Sequence, residues 1–367
     1  MEIAAFLLAT LPTQDVPPIQ ISFPVTPTGQ QVLQWRAQAA LCGGEAVSAR
    51  VPLESQPLLV SAAVQPQSPV TLRFRIDSDG KPLSIRSDKS ASAYLSTDVA
   101  PALAASIFAV DGPHTECVIR YSPVLTSIED VDRNTLSSYA MMPGTPSLPR
   151  AAWQRTQPTV SDCAGRPSPR VLLRAYPDFL GFPATRGKRD WAMMQFDLDA
   201  RGRPINVQVS EHSGNASLNA ASVRAVRDSR FTPGARTGCT YRYWREAETI
   251  EPPASPSAAM LRPADANCPT DLEWTRPLSL IFPQAFLQRR IEGWAIIAYD
   301  VAPWGDVGNL RVLASEPAEG FGTQALSILR NGKKPANRTG YTGCVEKVVF
   351  AISPNDFGSA EGHMVAR

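Results

Sequence analysis

Six cysteines fall into three pairs of nearly one separation: Cys42 to Cys117 is 75 residues, Cys163 to Cys239 is 76, and Cys268 to Cys344 is 76. Near the middle of each interval lies a glycine turn, at Gly80, Gly202 and Gly305, which precede the second cysteine by 37, 37 and 39 residues. Self-similarity at a fixed period means that one structural unit is used repeatedly. The spacing predicts three copies, each closed by its own disulfide. No Cys-x-x-Cys occurs, so neither a zinc knuckle nor a thioredoxin-like redox pair has the spacing it needs. Buried unpaired thiols are the remaining alternative, and they leave the recurring separation unexplained.

A chain of 367 residues is too long for one core and suits two or three domains of about 100 residues. A net charge of +2 gives no electrostatic footprint for nucleic acid, and no apolar run approaches the roughly 20 residues that span a bilayer. Ile3 to Leu11 form a nine-residue apolar run, the length of a signal-peptide core. Glu2 stands where a positive charge is expected and no small-x-small cleavage site is visible, so a buried N-terminal segment is the alternative. Paired cysteines favour an oxidising compartment. The expectation is an exported protein with a signal peptide over residues 1–18.

Strand signals are clearest before each glycine turn. Val70, Leu72, Phe74 and Ile76 alternate with Thr71, Arg73 and Arg75; Ala192, Met194, Phe196 and Leu198 alternate with Met193, Gln195 and Asp197, and Ala295, Ile297, Tyr299 and Val301 with Ile296, Ala298 and Asp300. Period two with one apolar face marks a half-buried strand. The turns Asp77-Ser78-Asp79-Gly80, Asp199-Ala200-Arg201-Gly202 and Pro303-Trp304-Gly305-Asp306 reverse the chain into a second strand, marked by Leu83 and Ile85, Ile205 to Val209, and Leu310 and Val312. Asp77 to Gly80 matches part of a calcium loop, but the remaining ligands are missing and a hairpin turn explains it better. Helical stretches follow at Ala102 to Phe108, Leu218 to Val226 and Thr323 to Leu329, and then a last strand that carries the second cysteine. The predicted fold class is α+β: three tandem small modules, each a β-β-α-β antiparallel sheet with helices on one face. The predicted boundaries are 28–126, 162–246 and 267–354, with a tail over 355–367. Pro-, Ser- and Ala-rich linkers over 127–161 and 247–266 are expected to be extended and exposed.

The modules resemble the C-terminal domain of TonB, the periplasmic part of the bacterial energy transducer. In the third copy the resemblance lies in Arg290 to Val301 (RIEGWAIIAYDV), preceded by Phe282-Pro283 where the family has Tyr-Pro, and in Leu310 to Phe321 (LRVLASEPAEGF). The second copy keeps Tyr176-Pro177, the Asp199 to Gly202 turn, Ser210 to Val226, and Phe231-Thr232-Pro233. The first keeps the hairpin and spacing and little else.

The resemblance implies protein binding in the periplasm and no catalysis. The family domain takes a short peptide, the TonB box of an outer-membrane transporter, as a strand added to its sheet edge. The corresponding edge is the final strand: Val345, Lys347, Val348 and Phe350 in the third copy, and Thr240 to Trp244 in the second, with Thr240, Tyr241 and Tyr243 as its candidate contacts. These residues could equally do no more than complete the sheet and core. A structural or scaffold role in the envelope, with no free edge, is therefore the second reading. Energy transduction in the strict sense calls for a membrane-spanning helix and a long Pro-rich spacer, and neither is found in this sequence. An enzyme is not expected: His114, His212 and His363 lie outside any nucleophile motif, and no Gly-x-Ser-x-Gly, His-Glu-x-x-His or P-loop occurs. No cofactor or metal site is predicted.

Overall fold

Alternating strands need neighbours to pair with and an apolar face to cover, and the described residues supply these in three main antiparallel sheets and two small two-stranded ones. A computed structural model describes residues 29–51, 54–64, 67–88 and 95–352. The expected leader and tail lie outside these residues. The architecture is mixed α+β, and Cys42–Cys117, Cys163–Cys239 and Cys268–Cys344 are each bonded, as the spacing predicted.

The first part of the chain forms β1 (Gln30–Ala37), β2 (Ala40–Cys42), β3 (Glu45–Val47), β4 (Ala49–Val51), β5 (Leu58–Ser61), β6 (Val70–Ile76), β7 (Pro82–Ser87), α1 (Val99–Ala105), β8 (Ile107–Phe108) and β9 (His114–Ser127). It is larger than a β-β-α-β unit. The 14-residue β9 pairs with β6 along one side and with β1 and β2 along the other, so the strand expected at the edge lies inside a seven-stranded sheet. The reason is local to β1: Val32, Leu33 and Trp35 are buried there, which fixes the strand against the sheet.

The stretch over 127–161 is not extended and exposed. Two helices, α2 (Arg133–Met141) and α3 (Arg150–Arg155), are folded within it. Asp132 caps α2 by accepting from the Thr135 N–H at 2.8 Å, and Leu136, Tyr139 and Met141 are buried. Those hydrogen bonds, from the Thr135 hydroxyl as well as its N–H, outweigh partial desolvation and hold the Asp132 carboxyl below its usual range. Here proline marks helix boundaries, with Pro149 immediately ahead of α3.

Next come β10 (Val171–Leu173), β11 (Asp190–Leu198), β12 (Pro204–His212), α4 (Ala216–Asp228), β13 (Arg230–Phe231) and β14 (Arg236–Arg245). The second sheet runs in the order β12-β11-β14. Its core is self-contained: Met194, Phe196, Leu218, Val226 and Tyr243 pack under α4. The opposite face of β11 is also buried, because Trp191 and Met193 pack with Met141 of α2. The last part holds α5 (Gln284–Gln288), β15 (Gly293–Val301), β16 (Val307–Glu316), α6 (Glu319–Arg330) and β17 (Tyr341–Phe350), with sheet order β16-β15-β17.

The central glycine does the same work in each hairpin. Gly80, Gly202 and Gly305 have φ of 81°, 74° and 93°. Their carbonyls accept from Phe108 at 2.8 Å, Phe231 at 3.0 Å and Lys334 at 2.9 Å, which ties each hairpin to the chain leaving the helix. A Cβ at any of the three would sit 2.2 Å from the carbonyl oxygen of that same residue. Gly305→Ala therefore combines backbone strain with a backbone clash. It is expected to cost about 1–3 kcal/mol in a urea melt, and a loss within about 0.5 kcal/mol would contradict this packing. Four residues further on, Ser84, Asn206 and Asn309 also take positive φ. The two asparagines are held by Asp197 at 2.8 Å and Asp300 at 2.7 Å.

The first and third sheets are welded together. Their apolar residues form one core, Ile85 donates to the Pro317 carbonyl at 2.9 Å, and the buried Glu316 accepts from Ser84 N–H, Ser84 Oγ and Arg75. Arg75 stands where Asp197 and Asp300 stand in the other hairpins: its Nε keeps the internal bond, donating to Ser84 Oγ at 3.1 Å, and its guanidinium adds the inter-sheet one to Glu316.

Candidate partner-binding edges

A sheet edge is a row of unpaired backbone donors and acceptors, so what lies beside each last strand decides whether it can accept a partner. β14 pairs with β11 and β17 pairs with β15, and among the described residues no strand pairs with the other side of either. β9 contrasts with both, its second side being filled by residues 31–42 of the same chain.

The side chains named from sequence divide between two faces. On β17, Val348 and Phe350 point to α6 and are buried, Phe350 at 5.3 Å from Phe321 and 5.7 Å from Phe282, ring to ring. They are core residues. Val345 and Lys347 are cross-strand partners of Ala298 and Ile296, on the opposite face, where the Lys347 Nζ donates to Ser255 Oγ at 3.3 Å. The preceding chain passes here: Trp294 donates to the Pro253 carbonyl at 2.8 Å, the short 3-10 turn Ala258–Leu261 lies beside β17, and Asn267 exchanges bonds with Thr342. The 247–266 linker is thus mostly extended but is fixed along the third sheet.

On β14, Tyr243 is buried, and its hydroxyl donates to the Ala175 carbonyl at 2.9 Å. Burial pushes its phenol upward in pKa. Tyr241 stacks edge-on against Tyr243 at 4.9 Å, under the Arg174 guanidinium at 4.7 Å. Thr240, on the other face, donates to Gln157 at 3.1 Å. Past that point β14 opens to solvent: Arg242 is exposed and Trp244 is 46% exposed. Both lie within the Thr240 to Trp244 span expected from the sequence, and an exposed Trp on such a strand is a sign of an interaction surface.

Residues 184–248 match the family model of the Gram-negative bacterial TonB protein C-terminal. The matched span runs through β11, β12, α4 and β14, so it contains the whole second sheet and its helix. It falls on the second of the three expected units, 162–246. The third helix begins Glu319-Gly320-Phe321-Gly322 without a side-chain cap, while α4 has its Asn215 cap, accepting from Leu218 at 3.0 Å. No curated protein matches the chain. The TonB C-terminal family is a periplasmic protein-interaction family and not an enzymatic one.

Among the described residues no cluster of His, Cys, Asp and Glu could hold a metal, and no helix is long and apolar enough to cross a membrane. His114 and His212 lie on different sheets, the backbone N–H of His212 donating to Asn134. The most polar buried spot in the third sheet is structural. Lys334 Nζ lies 3.8 Å from the Trp274 ring centroid and 3.7 Å from Glu346, and burial lowers its pKa. A cleft of about 1030 Å³ opens between the ends of β14 and β17, with Phe179, Leu180 and Trp244 on one wall and Phe282, Leu287 and Ile352 on the other.

Proposed function

We propose that this is a periplasmic envelope protein built from three copies of the TonB C-terminal unit, at 28–126, 162–246 and 267–354, that binds protein partners by strand addition. By family resemblance the partner is a TonB-box-like peptide of an outer-membrane transporter, added beside β14 or β17. The observation that carries this reading is the contrast at the last strands: β14 and β17 are paired on one side only among the described residues, while β9 accepts residues 31–42 on the same side. Edge addition is the association that such a strand supports, since backbone bonds supply the affinity and flanking side chains the choice. Repetition of the glycine lock and of the positive-φ residue four places later supports the three-copy reading.

The test is a calorimetric titration of the oxidised chain with TonB-box-like peptides. Binding in the micromolar range is expected, weakened at least about tenfold by a proline at Tyr241 or Val348, each of which removes a backbone donor. A flat isotherm at high micromolar peptide would overturn the reading. A scaffold role is the second reading, favoured by the filled edge of β9 and by the linker that flanks β17. It predicts that no peptide protects β14 or β17.

A further inference from the structure

The three last strands differ in access and in charge. β9 is closed by the chain's own β1 and β2, with Cys42 bonded to Cys117 in register between them. Along β17 the preceding chain is attached at Thr342 through Asn267 and at Lys347 through Ser255, and Thr342 is the strand's one exposed residue. Along β14 the corresponding chain is attached at Thr237 through Asp162 and at Thr240 through Gln157, and no hydrogen bond holds it further along. Tyr241 to Arg245 therefore carry the exposed pair Arg242 and Trp244, at the places that Lys347 and Val349 occupy in β17. Tyr176, 63% exposed, and Leu180, 95% exposed, flank this half of the strand. An apolar rim on a charged edge is the composition of a contact site and not of a solvated face.

The charge is local as well. Residues 162–246 hold 14 Lys and Arg against 8 Asp and Glu, in a chain that totals 36 against 34, so the rest of the protein is net negative. Three arginines, Arg236, Arg242 and Arg245, lie on β14 itself, and Arg174 lies over Tyr241. Of the acidic groups nearby, Asp162 accepts from Thr237, Asp178 accepts from Leu180 N–H and Glu246 pairs with Arg189, while the exposed Glu248 lies opposite Arg186.

We infer that the Tyr241 to Arg245 half of β14 is the chain's one peptide-accepting edge, and that it selects an extended segment in which apolar residues alternate with acidic ones. The inference rests on the strand-addition reading above, and it adds a stoichiometry, a place and a partner charge to it. The probes are three synthetic ten-residue peptides of one apolar pattern, with Asp/Glu, Asn/Gln or Lys at the alternate positions, each titrated into the oxidised full chain. Expected are one site per chain and preference for the acidic peptide by about tenfold over the neutral one, shrinking several-fold between about 50 and about 300 mM salt. Arg242→Glu is expected to remove or reverse that preference, read as the loss of the acidic-over-neutral affinity ratio. Hydrogen exchange read by mass spectrometry should show protection of residues 236–245 and none of 341–350. Equal binding of acidic and neutral peptides, two sites per chain, or protection of 341–350 would overturn the inference and leave strand addition standing. Binding of none of the three would overturn both, and protection of 236–245 by anionic lipid vesicles in place of peptide would replace the peptide partner with a membrane surface.

Discussion

Arg289→Met is expected to lower unfolding stability by about 3–5 kcal/mol, because it strands a buried carboxylate at the junction of all three sheets. Arg289 follows α5 and is 3% exposed, with Asp98 at 8%. Its guanidinium holds Asp98 through two bonds of 2.6 Å, and also donates to the carbonyls of Glu54 at 2.9 Å and Gly187 at 3.1 Å. Asp98 belongs to the first part of the chain, Gly187 leads into the second sheet and Arg289 leads into the third, so one side chain satisfies groups from each. In the variant Asp98 keeps only the Gln56 N–H, at 2.6 Å. Arg289→Lys should recover little, because an ammonium cannot reach a carboxylate and two divergent carbonyls with the fork of a guanidinium. The double variant Arg289→Met/Asp98→Asn should recover a sizeable part of the loss, since the stranded charge is then gone. Urea unfolding followed by tryptophan fluorescence reads all three. A loss below about 1 kcal/mol for Arg289→Met would show that the junction is open to water and that the sheets are held by the apolar core alone.

The local grammar of this chain was legible in its sequence. Alternation placed β6, β11 and β15, the glycine turns placed the hairpins, and the equal cysteine separations placed the bonds, since each signal is contained within a few residues or repeats at one interval. What sequence could not supply is pairing at long range. Residues 31–37 pair with β9 residues about 85 to 95 positions away, and burial of Leu33 and Trp35 holds that pairing. The Arg289 to Asp98 pair spans 191 residues and leaves no trace in either local pattern. The helices α2 and α3 were hidden by proline content, because proline reads as a linker signal whether it breaks a helix or bounds one. At the candidate edges the residues expected from sequence fall on two faces: Val348, Phe350 and Tyr243 turn inward, while Arg242 and Trp244, within the expected Thr240 to Trp244 span, turn outward. Alternation shows that two faces exist, and packing partners decide which of them meets solvent.

The second large effect is expected from Cys163→Ser/Cys239→Ser, which should melt the second sheet before the rest of the protein. The three bonds close loops of 75, 76 and 76 residues, so the share that acts through the unfolded chain is the same for each, about 4.5 kcal/mol in the chain-entropy model. Any ranking must then come from the native side. Around Cys42 and Cys117 the strands stay registered without the bond, because β1 pairs with β9 over seven residues and β2 pairs with it over two. The third sheet shares its core with the first, so unfolding it would expose both. The second sheet has neither support. Its core closes on itself under α4, and its other face rests only on Met141 and the chain before Cys163. Removing the bond there should split one unfolding transition into two, with the earlier one seen as loss of hydrogen-exchange protection in β11, β12 and β14. The Cys42→Ser/Cys117→Ser variant should lower the midpoint while keeping a single transition. If instead Cys163→Ser/Cys239→Ser unfolds in one step at the wild-type midpoint, the second sheet is held by its neighbours and not by its own disulfide. Its exposed β14 edge would then be tied to the rest of the molecule more firmly than its contacts indicate.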